Sequence, residues 1–340
     1  MTVLNVAMFG SDELAKEIAK ATDQRDVHTY VHKETHDGAV KIISIIRPAR
    51  YPERLRPLLN AISAGRVGII EINSIDATLG EVLVAFASSN IKCGIAVIKP
   101  NDGDWIDQEM AEKMFQQAGL NEWKFMMPDG LEIRNQLYAL MGEIEDELAE
   151  SAASPLVVSI DQHFNVKGIG LVAIGYVQCG TLNVHDELHI LPSKVGGNTK
   201  SLQVMDDDVP QAKSGDRVGI AIRGAKDESL SNGSMIVKPA IEDKKTNTNI
   251  PLAVIEQKVS KLTVQISPFQ KRVLAAGDVI HISVDLQFIV GRIKTVEADS
   301  MVVEWDSPIY IRRENPGSAI IAQLDSKPRI IGSSTVHLHE

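Results

Sequence analysis

The stretch that most constrains this chain runs from Phe164 to Pro192, FNVKGIGLVAIGYVQCGTLNVHDELHILP. Its apolar residues alternate, as in Leu171 and Ala173 and again in Leu188 and Ile190. Glycines fall at Gly168, Gly170, Gly175 and Gly180. Alternation between glycine-rich turns predicts short antiparallel strands with one buried face. Closely spaced glycines let such strands bend and pack closely, as the corner of a small barrel requires. His185-Asp186 makes a turn before the next strand. The stretch holds no metal-binding cluster and no acid/base pair.

The rest of the chain must be organised around that barrel. At 340 residues it has room for two or three domains, and 44% hydrophobic content can fill several cores. No apolar run reaches the roughly 18 residues of a membrane span. The N-terminus, MTVLNVAMFGSDEL, lacks a basic region before its apolar run and reads as a first strand rather than a signal peptide. Cys93 and Cys179 sit in apolar, strand-like contexts without CxxC or His spacing. Two lone thiols point to a reducing, cytoplasmic setting rather than to a disulfide or zinc site. The net charge of -10 is uneven. Residues 1–150 carry 15 basic and 24 acidic side chains, residues 151–247 carry 10 and 11, and residues 248–340 carry 10 and 10. This balance argues against nonspecific nucleic-acid binding. Any RNA surface is expected on the two C-terminal domains.

Taken in order, Val3–Phe9 is an apolar strand, followed by Gly10-Ser11-Asp12 and a helix over Glu13–Ala21. Residues 22–40 read as polar and irregular. Lys41–Ile46 is a second strand and Pro52–Ala64 a helix. Val67–Asn73 and Gly94–Lys99 are buried strands with a helical Ala77–Ser89 between them. Glu109–Ala118 and Leu131–Glu150 are further helices. Strands alternating with helices predict a parallel α/β sheet over residues 1–150. After Ser151-Ala152-Ala153-Ser154-Pro155 the period switches from 3.6 to 2. Asp243–Asn249 reads as a polar linker between two all-β domains, and Ser333–His337 as the last strand.

The pattern F-x-x-x-G-x-G, strand, G-x-x-x-x-G-x-x-x-x-x-D-x-L-x-x-x-P resembles the second domain of translation elongation factors of the EF-Tu and SelB type. The likeness continues through Gly215-Asp216-Arg217-Val218-Gly219, Arg223-Gly224 and Gly233-Ser234-Met235-Ile236-Val237-Lys238-Pro239. It covers about 85 residues in the family's order and spacing. SelB-like members are nearest, through Phe164-Asn165-Val166-Lys167-Gly168-Ile169-Gly170. The resemblance implies a multidomain chain, α/β plus all-β. A P-loop-GTPase-like α/β module (residues 1–150) would precede two antiparallel β-barrels (151–242 and 248–340). The reading is an archaeal SelB-like paralogue with a degenerate G domain.

The family's nucleotide motifs are broken here. A P-loop, G-x-x-x-x-G-K-[ST], cradles phosphates with backbone N–H groups, a Lys and a Mg²⁺-binding hydroxyl. The matching residues are Gly10-Ser11-Asp12-Glu13-Leu14-Ala15-Lys16-Glu17, so Gly10 and Lys16 survive while Ala15 and Glu17 replace the second glycine and the hydroxyl. The family's Asp-x-x-Gly-His aligns with Arg47-Pro48-Ala49-Arg50-Tyr51, and its guanine-reading [NT]-K-x-D with Lys99-Pro100-Asn101-Asp102. Of the latter, Asp102 remains. Thr29 and Thr35 are the candidates for the switch threonine. The resemblance implies GTP or GDP as ligand, held through Gly10, Lys16 and Asp102. Both protein positions that hold Mg²⁺ have changed, as has the water-positioning residue, and phosphoryl transfer depends on such positioning and charge neutralisation. Competent GTP hydrolysis is not expected. The opposite charges of Glu17 and Arg47 suggest an ion pair where Mg²⁺ would otherwise sit.

The same resemblance implies that the second domain holds the aminoacylated 3′ end of tRNA, through Arg223, Gly224 and Ser234. In the third domain Lys271-Arg272 and Arg312-Arg313 are candidate phosphate contacts. SelB-type factors place an Asp-Arg pair just before the barrel Phe; this chain has Asp161-Gln162-His163-Phe164, without the Arg. The mRNA-reading domain usual after the third domain in SelB proteins is not expected. His28, His32 and His36, with Asp26 and Asp37 nearby, read as a polar loop sooner than a metal site. No G-x-S-x-G elbow is present, and no catalytic or metal residue is assigned. The leading expectation is a factor that binds tRNA or aminoacyl-tRNA, and the ribosome, with guanine-nucleotide binding weakened or lost. Neither membrane nor DNA is implied. The alternatives are a pseudo-GTPase scaffold for a protein partner or the ribosome, and a working GTPase with an unusual site.

Overall fold

The computed structural model describes residues 1–36, 38–102, 104–243 and 248–338. Among them the first domain is a seven-stranded sheet in the order β2-β3-β4-β1-β5-β6-β7. Its elements are β1 (Thr2–Phe9), α1 (Asp12–Ile18), β2 (Lys20–Gln24), β3 (Val27–His36), β4 (Ala39–Pro48), α2 (Arg56–Ala64), β5 (Val67–Ile72), α3 (Ala77–Ala87), β6 (Gly94–Ile98), α4 (Gln108–Ala118), β7 (Trp123–Met126), α5 (Gly130–Glu143) and α6 (Glu145–Ala152). Strands β4, β1, β5, β6 and β7 are parallel, and the central ones, β1, β5 and β6, are buried on both faces, which is why they read as continuous apolar runs. One face packs Leu58, Val82, Phe86 and Phe115 from α2, α3 and α4. The other packs Leu14, Ile18, Ile133 and Leu137 from α1 and α5.

Several expectations need correction. Residues 22–40 are not irregular: β2 and β3 form an antiparallel hairpin on β4, so the sheet is mixed. The hairpin is an edge, so its polar side chains face water while Val27, Thr29 and Tyr30 are buried. Helix α1 ends at Ile18 instead of Ala21, because Lys20 already enters the hairpin. The short strand β7 went unread, and the helix expected over Leu131–Glu150 is two helices.

The second domain contains β8 (Val157–Val166), β9 (Gly170–Cys179), β10 (Thr181–Asn183), β11 (Glu187–Leu191), β12 (Val195–Val204), β13 (Asp207–Val209), β14 (Gln211–Lys213), β15 (Arg217–Arg223) and β16 (Met235–Val237). Its main sheet closes on itself because β11 pairs with both β12 and β16. Alternate residues Val158, Ile160, Leu171, Ala173, Leu188 and Ile190 fill the barrel. Gly175 lies where a Cβ would stand 2.3 Å from the Ser159 carbonyl, so β8 and β9 approach more closely there than a side chain allows.

The expected linker is bracketed by a small ribbon, β17 (Ile241–Asp243) with β18 (Thr248–Ile250); residues 244–247 lie outside the described residues. The third domain is a closed antiparallel barrel in the order β19-β22-β21-β20-β23-β24. Its strands are β19 (Val254–Ile266), β20 (Val279–Val284), β21 (Gln287–Glu297), β22 (Ser300–Arg312), β23 (Ala319–Ala322) and β24 (Ile330–Val336). No helix among the described residues is long and apolar enough to cross a membrane.

The three domains share apolar contacts. Val3 and Ile42 join the core of the second domain, and Ile320, Ala322 and Ile330 of the third join the α3 face of the first. Tyr176 and Leu286 meet among Val27, Ile46, Ala61 and Ala64, so all three domains touch at one point.

Candidate functional site

The β1–α1 connection is where the broken P-loop motif falls. Only Gly10 and Ser11 separate the strand from the helix, and Ser11 is the N-cap, its Oγ accepting the Leu14 N–H at 3.2 Å. A loop long enough to wrap phosphates is therefore absent from this connection. The residue facing it is Glu71 of β5, fully buried. The Ser11 N–H donates to Glu71 Oε2, and the Ser11 hydroxyl to Oε1 at 3.0 Å. Lys99 Nζ lies 3.6 Å from the same carboxylate. An anion at a helix N-terminus is favoured by the unsatisfied amides and by the helix dipole. Here the chain supplies that anion itself.

The residues expected to hold a nucleotide take other roles. A Cβ at Gly10 would lie 2.9 Å from Glu71 Cβ and Oε2, so this glycine makes room for the carboxylate. Lys16, exposed in the last turn of α1, pairs with Asp12 at 2.5 Å. Asp12 also accepts the Tyr30 hydroxyl at 2.5 Å. These two hydrogen bonds hold the Asp12 pKa down, while burial and then the Asp12 bond push Tyr30 up to about 12. Asp102 is exposed in a turn. Thr29 is buried in the hairpin, its hydroxyl 2.8 Å from that of Thr22 and accepting the Asp23 N–H. The residues at the phosphate end do not fit a bound nucleotide as a P-loop does.

The suggested Glu17–Arg47 ion pair does not form. Arg47 Nε donates to the Gly10 carbonyl at 2.6 Å. Glu17 instead packs its backbone against Gly130 at the start of α5, where a Cβ would come within 2.6 Å of the Glu17 carbonyl.

Tyr51, expected from the sequence to align with a catalytic histidine, bonds α3 of its own domain and lies under an arginine of the third. Its hydroxyl donates to Glu81 Oε1 at 2.9 Å. Arg329 bonds both oxygens of Glu81 and stacks over the Tyr51 ring, 5.7 Å from its centroid. Burial raises the Tyr51 pKa strongly, and the Glu81 charge adds to it. Burial opposes the Glu81 charge, but the Arg329 hydrogen bonds outweigh it and hold its pKa below the usual value. Sequence reasoning missed Glu71 and Glu81. The available signal was a single carboxylate inside each of two otherwise apolar segments, VGIIEI and ATLGEVLVAFA.

In the second domain Arg223 ends β15, exposed and outside the ion pairs among the described residues. Gly224 follows with φ +89, a conformation that favours glycine. Ser234 lies apart from them in role: it is buried, and its hydroxyl accepts the Ser231 N–H at 2.9 Å, closing a turn. Lys271 and Arg272 are exposed on the loop after β19, with Arg272 paired to Asp278 at 3.2 Å. Arg312 of the other candidate pair is buried and bonded to Asp285 at 2.9 and 3.2 Å, so it is a structural ion pair rather than an RNA contact. His28 and His32 lie on β3; the His36 side chain and Asp37 are outside the described residues.

A further polar cluster lies between the first two domains. Asp161, Tyr176 and Arg217 of the barrel stand beside Asp23 and Arg25 of the hairpin. Gln162 Nε2 donates to Asp23 at 3.3 Å, and Arg25 lies over the Phe164 ring. Burial raises the Asp161 pKa.

The model of elongation factor Tu domain 2 matches residues 170–237. An uncharacterized protein of Methanocaldococcus jannaschii is 28% identical over 290 residues, 85% of each chain. The selenocysteine-specific elongation factor of the same organism is 28% identical over 200 residues, 59% of this chain and 40% of that one. The crystal structure of translation elongation factor SelB from Methanococcus maripaludis, apo form, superposes with a TM-score of 0.77 at 18% identity, covering 100% of this chain and 80% of that one. The chain thus resembles SelB- and EF-Tu-type elongation factors, through its fold over its whole length and through its sequence in the second barrel.

Proposed function

We propose that this chain, built on the SelB-type fold, is a translation factor that holds tRNA or aminoacyl-tRNA on its second barrel without guanine-nucleotide control. The observation that carries the reading is the Glu71 carboxylate bonded to the Ser11 amide and hydroxyl. A nucleotide phosphate would have to displace a buried carboxylate from its donors, against like-charge repulsion. Lys16, paired with Asp12, supplies little compensation, and Glu17 is itself an anion. The second barrel keeps an exposed arginine at the strand end that the resemblance assigns to the tRNA terminus. Its net charge, close to neutral, suits one local contact better than a broad phosphate-binding face.

Retention of aminoacylated tRNA by the full chain, measured over a salt series with and without GTP, tests the proposal. Retention that falls with salt and is indifferent to GTP supports it. No retention at low salt removes it.

A second reading, a scaffold for a protein partner, draws support from a cleft of about 790 Å³ between α3 and the third domain, with Leu83, Val84, Phe269 and Leu324 on its walls. A chain that holds no tRNA but keeps its domain arrangement would favour it.

A further inference from the structure

A buried cationic cavity lies where the three domains meet. Arg66, between α2 and β5, reaches into it from the first domain, Gln178 of β9 from the second, and Arg312 with Asp285 from the third. Its enclosed volume is about 30 Å³, and it opens on a wider cleft of about 750 Å³ that shares Arg66, Gln178 and Arg312. An enclosed volume of this size exceeds what a single water needs.

The charges in it do not balance. Arg312 and Asp285 satisfy one another in a two-bond ion pair. Arg66 has no carboxylate partner among the described residues. Its Nη2 donates to two neutral oxygens, the Gln178 carbonyl at 3.2 Å and the Gln178 side-chain oxygen at 3.4 Å. A guanidinium does not deprotonate in a protein, so a positive charge is left in the junction. Burial first, and then the neighbouring Arg312 charge, pull the Arg66 pKa down, against smaller upward contributions from Asp285 and Glu147.

A second donor in the same wall also lacks a partner. Gln178 is 3% exposed and its Nε2 makes no hydrogen bond, although its Oε1 faces Arg66. A buried donor without a partner and a partly buried guanidinium without a carboxylate, side by side, ask for one acceptor carrying negative charge. The outer wall of the wide cleft holds Glu143, Glu147 and Glu150. That acidic wall repels a polyanion such as an RNA backbone more strongly than a single small oxyanion, which carries less charge.

We infer that the three-domain junction is a binding site for one small oxyanion, of the inorganic phosphate or sulfate class, held by Arg66 and Gln178 Nε2. Bound there, it would tie together residues from the first and second domains beside the Arg312–Asp285 pair of the third. The site is distinct from the β1–α1 connection and does not depend on the tRNA reading above.

Calorimetric titration of the full chain with sodium phosphate, against sodium chloride of equal ionic strength, tests this. Sulfate and phosphate stabilise many proteins by exclusion from their surfaces, so variants carry the decision. Wild type should show one saturable site in the millimolar range or tighter and a melting temperature that rises to a plateau. Gln178→Glu places a carboxylate beside Arg66. It should raise the melting temperature without phosphate and weaken phosphate binding at least about tenfold. Gln178→Met, which removes the donor and adds no charge, should also weaken binding. Absence of saturable heat in wild type at tens of millimolar phosphate, or equal responses in wild type and both variants, would overturn the inference.

Discussion

Glu71 caps the entrance of α1 through Ser11: the Ser11 amide donates to one carboxylate oxygen and its hydroxyl, 3.0 Å away, to the other. The residue that receives these bonds is fully buried and comes from the neighbouring strand β5. Removing it should leave the Ser11 donors and Lys99 unpaired. Glu71→Ala is expected to cost about 1–3 kcal/mol, the penalty of leaving buried polar groups unsatisfied. Glu71→Gln, which keeps an acceptor, should cost less. Urea midpoints of the two variants check the order; equal stability of Glu71→Ala and wild type would remove Glu71 from this role.

The Arg329–Glu81 pair bridges the first and third domains across 248 residues of sequence. Arg329→Ala leaves Glu81 without its cation in a site that is mostly buried. Breaking a buried pair from one side costs about 3–5 kcal/mol, and partial solvation of both groups sets the expectation at the low end. Because the folded-state pKa of Glu81 is depressed, its contribution is present above the ordinary carboxylate range and is lost as pH falls through the folded value. Small-angle scattering of Arg329→Ala, or of wild type at low pH, should show the first domain separating from the third barrel. A scattering curve unchanged from wild type in both cases contradicts this.

Burial pushes the Asp216 carboxyl up to about 6, although it accepts the Lys213 N–H. A carboxyl raised on folding favours the protonated folded state. Its stabilising contribution is therefore complete below the unfolded value and is lost as pH rises towards and through about 6. Asp216→Asn should flatten the stability profile between pH 4 and 6, values bounded by about 3.9 for the free side chain. Thermal melts across that window check it. A variant profile as steep as wild type places the pH dependence elsewhere.

Arg223 is exposed, and its truncation should leave stability within about 0.5 kcal/mol. If it meets the tRNA terminus, Arg223→Ala should weaken retention by about tenfold or more, since charged hydrogen bonds contribute about 1.5–3 kcal/mol. Ser234→Ala should behave the other way, lowering the melting temperature through its turn, with retention per folded molecule little changed. Filter retention alongside melting curves separates the two. Loss of retention in neither variant moves the contact off this strand end.

The barrels were legible because one buried face leaves a period of two, as in Leu171 with Ala173 and Leu188 with Ile190. The central strands were legible as apolar runs. The β2–β3 hairpin was not, because an edge strand with one wet face holds mostly polar residues, and its pattern was hidden by His28, His32, Lys33 and Glu34. The broken motif at Gly10 to Glu17 was visible, but its replacement was not. Glu71 lies 60 residues from Ser11, and no spacing rule joins them. The same holds for Arg66, Gln178 and Arg312, which meet only when three domains close on one point. Charge complementarity without distance misled at Glu17 and Arg47: Arg47 bonds the Gly10 carbonyl, and the Glu17 backbone meets Gly130.

The measurement that bears most directly on the central claim is calorimetric titration of the full chain with GTP and GDP, with and without Mg²⁺. With Glu71 seated on the Ser11 donors, no saturable heat is expected up to millimolar nucleotide under either condition. Submicromolar binding that requires Mg²⁺ would mean that the carboxylate yields its place to phosphate, and would contradict a factor free of nucleotide control.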